Sequence, residues 1–561
     1  MTTRLSPRTG ARLAVGVLAV GLVVAGAVLV RFARGLYFYG DDWSFLLLRG
    51  TVEGTDRGLW APHNEHWSTL PVLLYRALFA TVGLDDYLVF ALPVILVHLA
   101  LSALLYAVLV RLGSSRGPAL VVALAVAFLG AGAENTLWDF QVGFVAPVAL
   151  ALLAVLAVRA GDRWPRPAGP VVAGVLLVAG LMCSGVGISA VVLVVGFVAL
   201  TGGVRRAVLV GAGPTVAFLV WYAAIGHTGR RAGVGDRTDL LLVPAYVWTG
   251  LTSALERASA VDGSGPVLLA VLALAPLLVR EVSPALRALA VSGVLTAVVQ
   301  TGLQAVSRVD LGVEQAASGR YAYLTLVLLA PALAVVCGWL GRRVQAPRWP
   351  AAVLASLVAA GYLVHGVALQ HQLVEKRQEV SPALERLVRG IQAVTPGDRP
   401  VLTEQPFPAY HPDITVSLLD SPEVRAALPA RAVSPQTELD GLALVEVGVA
   451  TESFGLPDAT GLRPGPGLAP RGEPDGGCVT YSAPSRGAVL ELDSPDEGAE
   501  LRVSSDAGWV TTTLSRDGLR SLPDRQRIVP GTPVFVGVRV PGATLRASFD
   551  RAGSYEVCSG G

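Results

Sequence analysis

Long apolar runs separated by short basic connections fill the first two thirds of the chain, and beyond them apolar and polar residues alternate at close spacing. Runs able to cross a bilayer as helices fall at roughly 12–31, 87–110, 118–133, 144–158, 169–184, 186–201, 207–225, 265–280, 286–303, 321–340 and 349–370, about eleven in all. Arg4, Arg8 and Arg12 precede the first run. If that end faces the cytoplasm, the inside connections carry Arg111 and Arg116, then Arg159, Arg163 and Arg166, then Arg205 and Arg206, then Arg280 and Arg287, then Arg342, Arg343 and Arg348. Each is short and basic, as cytoplasmic connections are, and everything after the last run is then outside. The first run is long and no small-residue cleavage site follows it, so it reads as a retained span rather than a secretory signal.

The outward connections are where length is spent. The stretch from about 32 to 86 opens with Tyr37, Phe38, Tyr39 and Trp43, an interfacial aromatic belt that encloses the acidic pair Asp41 and Asp42. Pro62-His63-Asn64-Glu65-His66-Trp67 follows, and then WSTLPVLLYRALFATVG, which is apolar but short and interrupted and predicts a helix lying on the membrane surface. Further outward segments are ENTLWDFQVGF (134–144), a loop over 226–264 with Arg230 and Arg231, and GRYAYL at 319–324.

From about 371 the pattern is that of a water-exposed domain. Residues 371–394 have helical spacing and lead out of the last span. VLELD, LRVSS, WVTTTL, VFVGVRV and LRASF then alternate between turn signals, predicting a small β-sandwich. Cys478 and Cys558 bracket this strand-rich part and would close it if bonded, which needs an oxidising compartment; two unrelated thiols are the alternative. Cys183 and Cys337 sit in apolar surroundings and read as packing residues. The expected organisation is a transmembrane part over 1–370, a helical connection over 371–400 and an exterior, mostly β domain over 401–561.

Composition agrees with a multi-pass protein of the cell membrane: 561 residues, 53% hydrophobic and 15% charged, with a mean hydropathy of +0.57. A net charge of +2, with the basic residues scattered in short clusters, argues against nucleic acid as partner. No GxxxxGK[ST] loop is present, which makes a nucleotide sugar an unsuitable direct donor.

Carboxylates at a membrane surface are costly to bury and useful for chemistry, so Asp41 and Asp42 stand out. Asp85 and Asp86 are the internal control: the same dipeptide, directly before the second span, reads as loop-end charge. In the cluster His63, Asn64, Glu65 and His66, ligation of a divalent cation competes with a plain interfacial turn and with acceptor binding, Trp67 stacking on a sugar face. The HExxH order is absent. Glu134, Trp138, Asp139 and Gln141 are candidates for the same pocket, with helix capping as the plainer reading.

An outward first loop with Asp41-Asp42 just after the first span, a surface helix in that loop, about eleven spans and an exterior carboxyl-terminal domain together resemble the integral-membrane glycosyltransferases of the GT-C superfamily. The resemblance covers roughly residues 1–370 and includes protein mannosyltransferases, actinobacterial arabinofuranosyltransferases and O-antigen glucosyltransferases; it singles out no one family. It implies sugar transfer, usually with inversion, from a polyprenyl-phosphate sugar to a glycan, lipid or protein acceptor of the cell envelope on the outer face. Under it, one of Asp41 and Asp42 is the general base and the other orients the acceptor or a metal ion. The departing lipid phosphate needs cations and hydrogen-bond donors, for which Arg320 with Tyr321 and Tyr323 comes first and Arg230 with Arg231 second. A cofactor is not implied beyond a divalent ion at most. The competing readings are a transporter or flippase of a lipid-linked glycan, disfavoured by the lack of internal repeats, and a non-catalytic envelope assembly protein.

Overall fold

The computed structural model describes all residues except 1–6, 56, 161–167, 230–238, 344–347, 395–400, 407–413, 429–431, 476 and 560–561. The chain forms two compact units, one of Met1–Leu36, Arg57–Leu78 and Asp86–Gln378, the other of Tyr37–Asp56, Phe79–Asp85 and Glu379–Gly561.

The first unit is helical. Among the described residues seven helices are long and apolar enough to cross a membrane: Arg8–Ala33, Tyr87–Arg111, Asp139–Ala160, Val204–Ala224, Pro284–Leu311, Gly319–Arg343 and Ser356–Val394, the last running on into the second unit. These coincide with seven of the predicted spans; the other four fall on shorter apolar helices, Arg116–Gly132, Ala168–Leu181, Val186–Gly202 and Gly265–Leu278. One element differs from expectation. The stretch 226–264, read as a loop, contains a helix, Asp239–Ser259. Its buried positions Tyr246, Gly250, Leu251, Ala254 and Leu255 repeat at helical spacing, the stripe of an amphipathic helix and not a continuous apolar run.

In lipid the hydrophobic effect does not pull helices together, so close backbone packing at small residues must. Gly130 shows this: a Cβ there would run into the backbone carbonyl of Gly366, and one on Gly366 would meet the Phe128 carbonyl at 2.5 Å. Buried polar side chains are paired across helices, as where the His98 Nδ1 meets the Tyr323 hydroxyl at 2.9 Å and Ser189 donates to Gln300 at 2.5 Å.

The second unit carries two antiparallel six-stranded sheets. One has the spatial order Val447–Ala450, Val534–Val538, Ala499–Ser505, Gly553–Cys558, Cys478–Ala483, Ala469–Asp475. The other runs Leu462–Pro464, Ala488–Asp493, Thr544–Phe549, Trp509–Arg516, Leu519–Arg520, with Asp524–Arg527 also paired to Trp509–Arg516. Alternate residues of both sheets, among them Leu501, Val503 and Val536 from one and Leu490, Val510 and Leu545 from the other, share one core, which makes the domain a sandwich. Cys478 and Cys558 face each other on paired strands and are disulfide-bonded, with Cα atoms 4.0 Å apart.

The segments 37–56 and 79–85 are held to the rest of this unit by specific contacts. The Tyr37 N–H donates to Ser381 Oγ at 3.2 Å, and the Glu53 N–H to the Glu423 carboxylate at 3.1 Å. Arg389 binds Glu385 at 2.9 Å and Asp85 at 3.0 Å, and the Leu84 N–H donates to the Ala427 carbonyl at 2.7 Å.

Candidate functional site

Two groups of polar residues, one in each unit, are candidates for chemistry. In the second unit, the short helix Asp42–Leu47 places the acidic pair at its start. The two carboxylates are not equivalent. Asp42 is fully buried and one of its oxygens accepts the Tyr39 N–H at 2.8 Å, closing a turn at Gly40, whose φ of 59° suits glycine. Tyr37, Phe38 and Trp43, which flank the pair in sequence, pack edge to face or tilted against one another, with ring centroids 5.4–6.1 Å apart. Asp41 is half-buried and makes no side-chain cap to the helix it precedes. So one carboxylate is locked into the turn while its neighbour keeps a face toward solvent. The control pair is occupied otherwise: Asp85 pairs with Arg389, and Asp86 caps the helix Tyr87–Arg111 by accepting the Leu88 N–H at 2.9 Å.

In the first unit, His63 and His66 exchange two backbone hydrogen bonds of 2.9 Å each, forming a tight reversal with Asn64 and Glu65 at its tip. Asn64 has a φ of 51°, a left-handed conformation that asparagine tolerates better than most residues. The reversal aims Glu65 at Arg308, whose guanidinium lies 2.7 Å from the carboxylate, and the His66 Nε2 is 3.7 Å from the same oxygen. The His66 ring lies against Gly185, where a Cβ would come within 2.9 Å of its Nδ1.

Arg308 ends the helix Pro284–Arg308, and Arg320 begins the helix Gly319–Arg343. Tyr246 lies between them: its fully buried ring packs against Ala305, Val309 and Ala316. Arg308 and Arg320 both lie within electrostatic reach of its hydroxyl. Arg320 lies over the Tyr321 ring at 5.2 Å, and its buried Nε has no hydrogen-bond partner among the described residues. Glu134 approaches the same helix start, since a Cβ on Gly319 would be 3.4 Å from its Oε1. Glu65, His66, Arg308, Tyr246, Arg320, Tyr321 and Glu134 are linked by these contacts into one charged surround.

The other candidates are placed elsewhere. Tyr323 is buried in helix packing and engaged with His98. Trp67 is buried, with one ring face stacked on Trp221 at 5.1 Å and 3°, and its Nε1 donates to Thr69. His63 packs against the Phe140 ring at 5.4 Å. Asp139 accepts from the Tyr75 hydroxyl at 2.8 Å, its own N–H donates to the Tyr87 hydroxyl at 3.2 Å, and Asn135 donates to Gln141 at 3.3 Å. Asp139 and Gln141 are almost fully buried, and Trp138 is buried beside Phe140, so this group is an internal network that pins the 134–144 segment. Arg230 and Arg231 lie outside the described residues. Among the described residues no three His, Cys, Asp or Glu side chains are grouped to hold a metal ion.

Arg308 and Tyr246 are members of the charged surround that the sequence reading did not select. A cation ending an apolar run, as in QAVSRVD, was the available signal for Arg308; Tyr246 sits inside the stretch taken for a loop.

No family model matches the chain, and no curated protein does. Among solved structures it is similar to arabinosyltransferase EmbB from Mycobacterium smegmatis, at 14% identity and a TM-score of 0.35, covering 100% of this chain and 65% of that one. The chain thus spans just under two thirds of the length of that enzyme.

Proposed function

We propose that this protein is a multi-pass membrane glycosyltransferase that moves a sugar from a polyprenyl-phosphate carrier to a hydroxyl of an envelope glycan, lipid or protein on the outer face. The observation that carries the reading is the inequivalence of Asp41 and Asp42. An acceptor hydroxyl is a poor nucleophile until a base takes its proton, and that base must be both positioned and reachable. Asp42, buried and bonded to the Tyr39 N–H, holds the turn; Asp41, half-buried beside it, is the base.

In the step, the acceptor oxygen bonds to the anomeric carbon as its proton passes to Asp41. The bond from that carbon to the phosphate oxygen breaks, and the lipid phosphate leaves with the electron pair. Attack opposite the leaving group inverts the anomeric centre. Within the helical unit, Arg320 has a buried Nε with the unused donor capacity that a lipid phosphate would need. The disulfide Cys478–Cys558 supports an oxidising, exterior location for the β domain at the plasma membrane.

The test is mass spectrometry of envelope glycans from a strain lacking the protein, complemented with wild type or with Asp41→Asn. Loss of a sugar residue restored by wild type and not by the variant is expected. Identical glycans in all strains would refute an enzymatic role.

A further inference from the structure

On the sandwich, lined by no residue of either group described above, a cleft of ≈ 440 Å³ opens on the outer face of the sheet containing Trp509–Arg516. Its floor is one register row across three strands: Arg525 pairs with Thr511, and Thr511 with Ser548. Val510, Thr512, Ala547 and Phe549, the alternate residues, are buried in the sandwich, so the row itself faces outward. Arg486, from the exposed turn before Ala488–Asp493, and Arg551, just after Thr544–Phe549, complete the rim.

The cleft therefore presents three arginines around two hydroxyls. The one carboxylate lining it, Asp550, is committed to the backbone: one oxygen accepts the Gly508 N–H at 2.9 Å and the Trp509 N–H at 3.1 Å. Arg525 is braced against the Trp509 ring at 4.6 Å, and Arg551 donates to the Asp506 carbonyl at 3.4 Å. These anchors preorganise the guanidinium groups, and planar guanidinium pairs with carboxylate or phosphate in a bidentate fashion. Threonine and serine hydroxyls between the cations suit a ligand that is itself a polyol. The volume is at the small end for ligand sites, enough for a short oligosaccharide segment, whereas a nucleic-acid duplex needs on the order of 1,000 Å² of contact surface.

We propose that this cleft binds an anionic glycan, a saccharide carrying carboxylate or phosphodiester groups. It would hold such a polymer on the exterior domain, independently of the transfer reaction.

The test uses the full chain in lipid nanodiscs and measures binding of polygalacturonate, a phosphomannan, dextran and duplex DNA, with wild type, Arg525→Gln and Arg520→Gln. Arg520 is exposed on the neighbouring short strand Leu519–Arg520, outside the cleft, and controls for net charge. Salt-sensitive binding of polygalacturonate or phosphomannan is expected, weakened about tenfold by Arg525→Gln and unchanged by Arg520→Gln, the loss typical of one charged hydrogen-bonding group. The two anionic probes distinguish a carboxylate from a phosphodiester ligand. The proposal fails if dextran or DNA binds as tightly as both, if neither anionic glycan binds, or if the two variants weaken binding equally. Thermal unfolding of each variant checks that a loss of binding is not a loss of fold; if Arg525→Gln unfolds, Arg486→Gln is read in its place, with the same outcomes.

Discussion

Arg308 holds a Glu65 carboxylate oxygen at 2.7 Å, tying the end of an apolar helix to the tip of a four-residue reversal. Both side chains are mostly shielded, at 16% and 28% exposure, so removing one leaves the other charge poorly solvated. Arg308→Gln is expected to destabilise the helical unit by about 1–3 kcal/mol, with the Glu65→Gln/Arg308→Gln double variant recovering part of the loss. Thermal unfolding in nanodiscs measures this. A single variant that melts like wild type would mean the pair does not anchor the reversal.

The reversal itself makes a second prediction. Asn64 sits at a φ of 51°, where a β-branched residue is strained. Asn64→Val should cost about 1–2 kcal/mol, while Asn64→Gly should be near neutral. Equal melting points for the two variants would show that the turn relaxes at no cost.

The two aspartates should separate in function. Asp41→Asn is expected to lower sugar transfer from a synthetic polyprenyl-phosphate sugar by roughly 10²–10⁴-fold with unfolding unchanged. Asp42→Asn keeps an oxygen for the Tyr39 N–H but places amide hydrogens in a fully buried site, so its first effect is on stability, about 1–3 kcal/mol. The reverse pattern, transfer lost only in the Asp42 variant, would exchange the roles.

Cys478 and Cys558 close a loop with a sequence separation of 80. Replacing both by alanine should destabilise the sandwich by about 2–4 kcal/mol, because the open chain regains loop entropy on unfolding. Chemical unfolding of the full chain, read by limited proteolysis of the β domain, checks it; protection equal to wild type contradicts the expectation.

Asp524 supplies a pH dependence. Burial raises its pKa, only partly opposed by hydrogen bonds from Gln526 and the Arg525 backbone. A folded pKa above the unfolded one means that Asp524 favours the fold below the ordinary carboxylate range and that this contribution is lost as pH rises through the raised value. Asp524→Asn should therefore stabilise the sandwich more at pH 7 than at pH 4. A gain confined to pH 4 would reverse the assigned sign.

The apolar runs made the membrane-crossing helices legible, and alternation made the sandwich strands legible, because each depends on local period. The helix Asp239–Ser259 escaped because its signal is a stripe and not a run. The candidate site was legible in part. Asp41 and Asp42 stood out by position, but their inequivalence depends on burial of the following turn. The pairing of Arg308 with Glu65 depends on a tertiary contact that no local spacing encodes. Conversely, Trp138, Asp139 and Gln141 looked like lining residues and sit in an internal network, since polar residues that knit helices together have the same composition as those that bind sugars.

In evolutionary terms, Gly130 and Gly366 form a single character. With the Gly366 carbonyl occupying the place of a Gly130 side chain, neither position can gain even a methyl group while the helices keep their distance. In relatives sharing this packing the two glycines should persist or be lost together, so that where one has changed, the neighbouring helices will have moved apart and the lipid boundary with them.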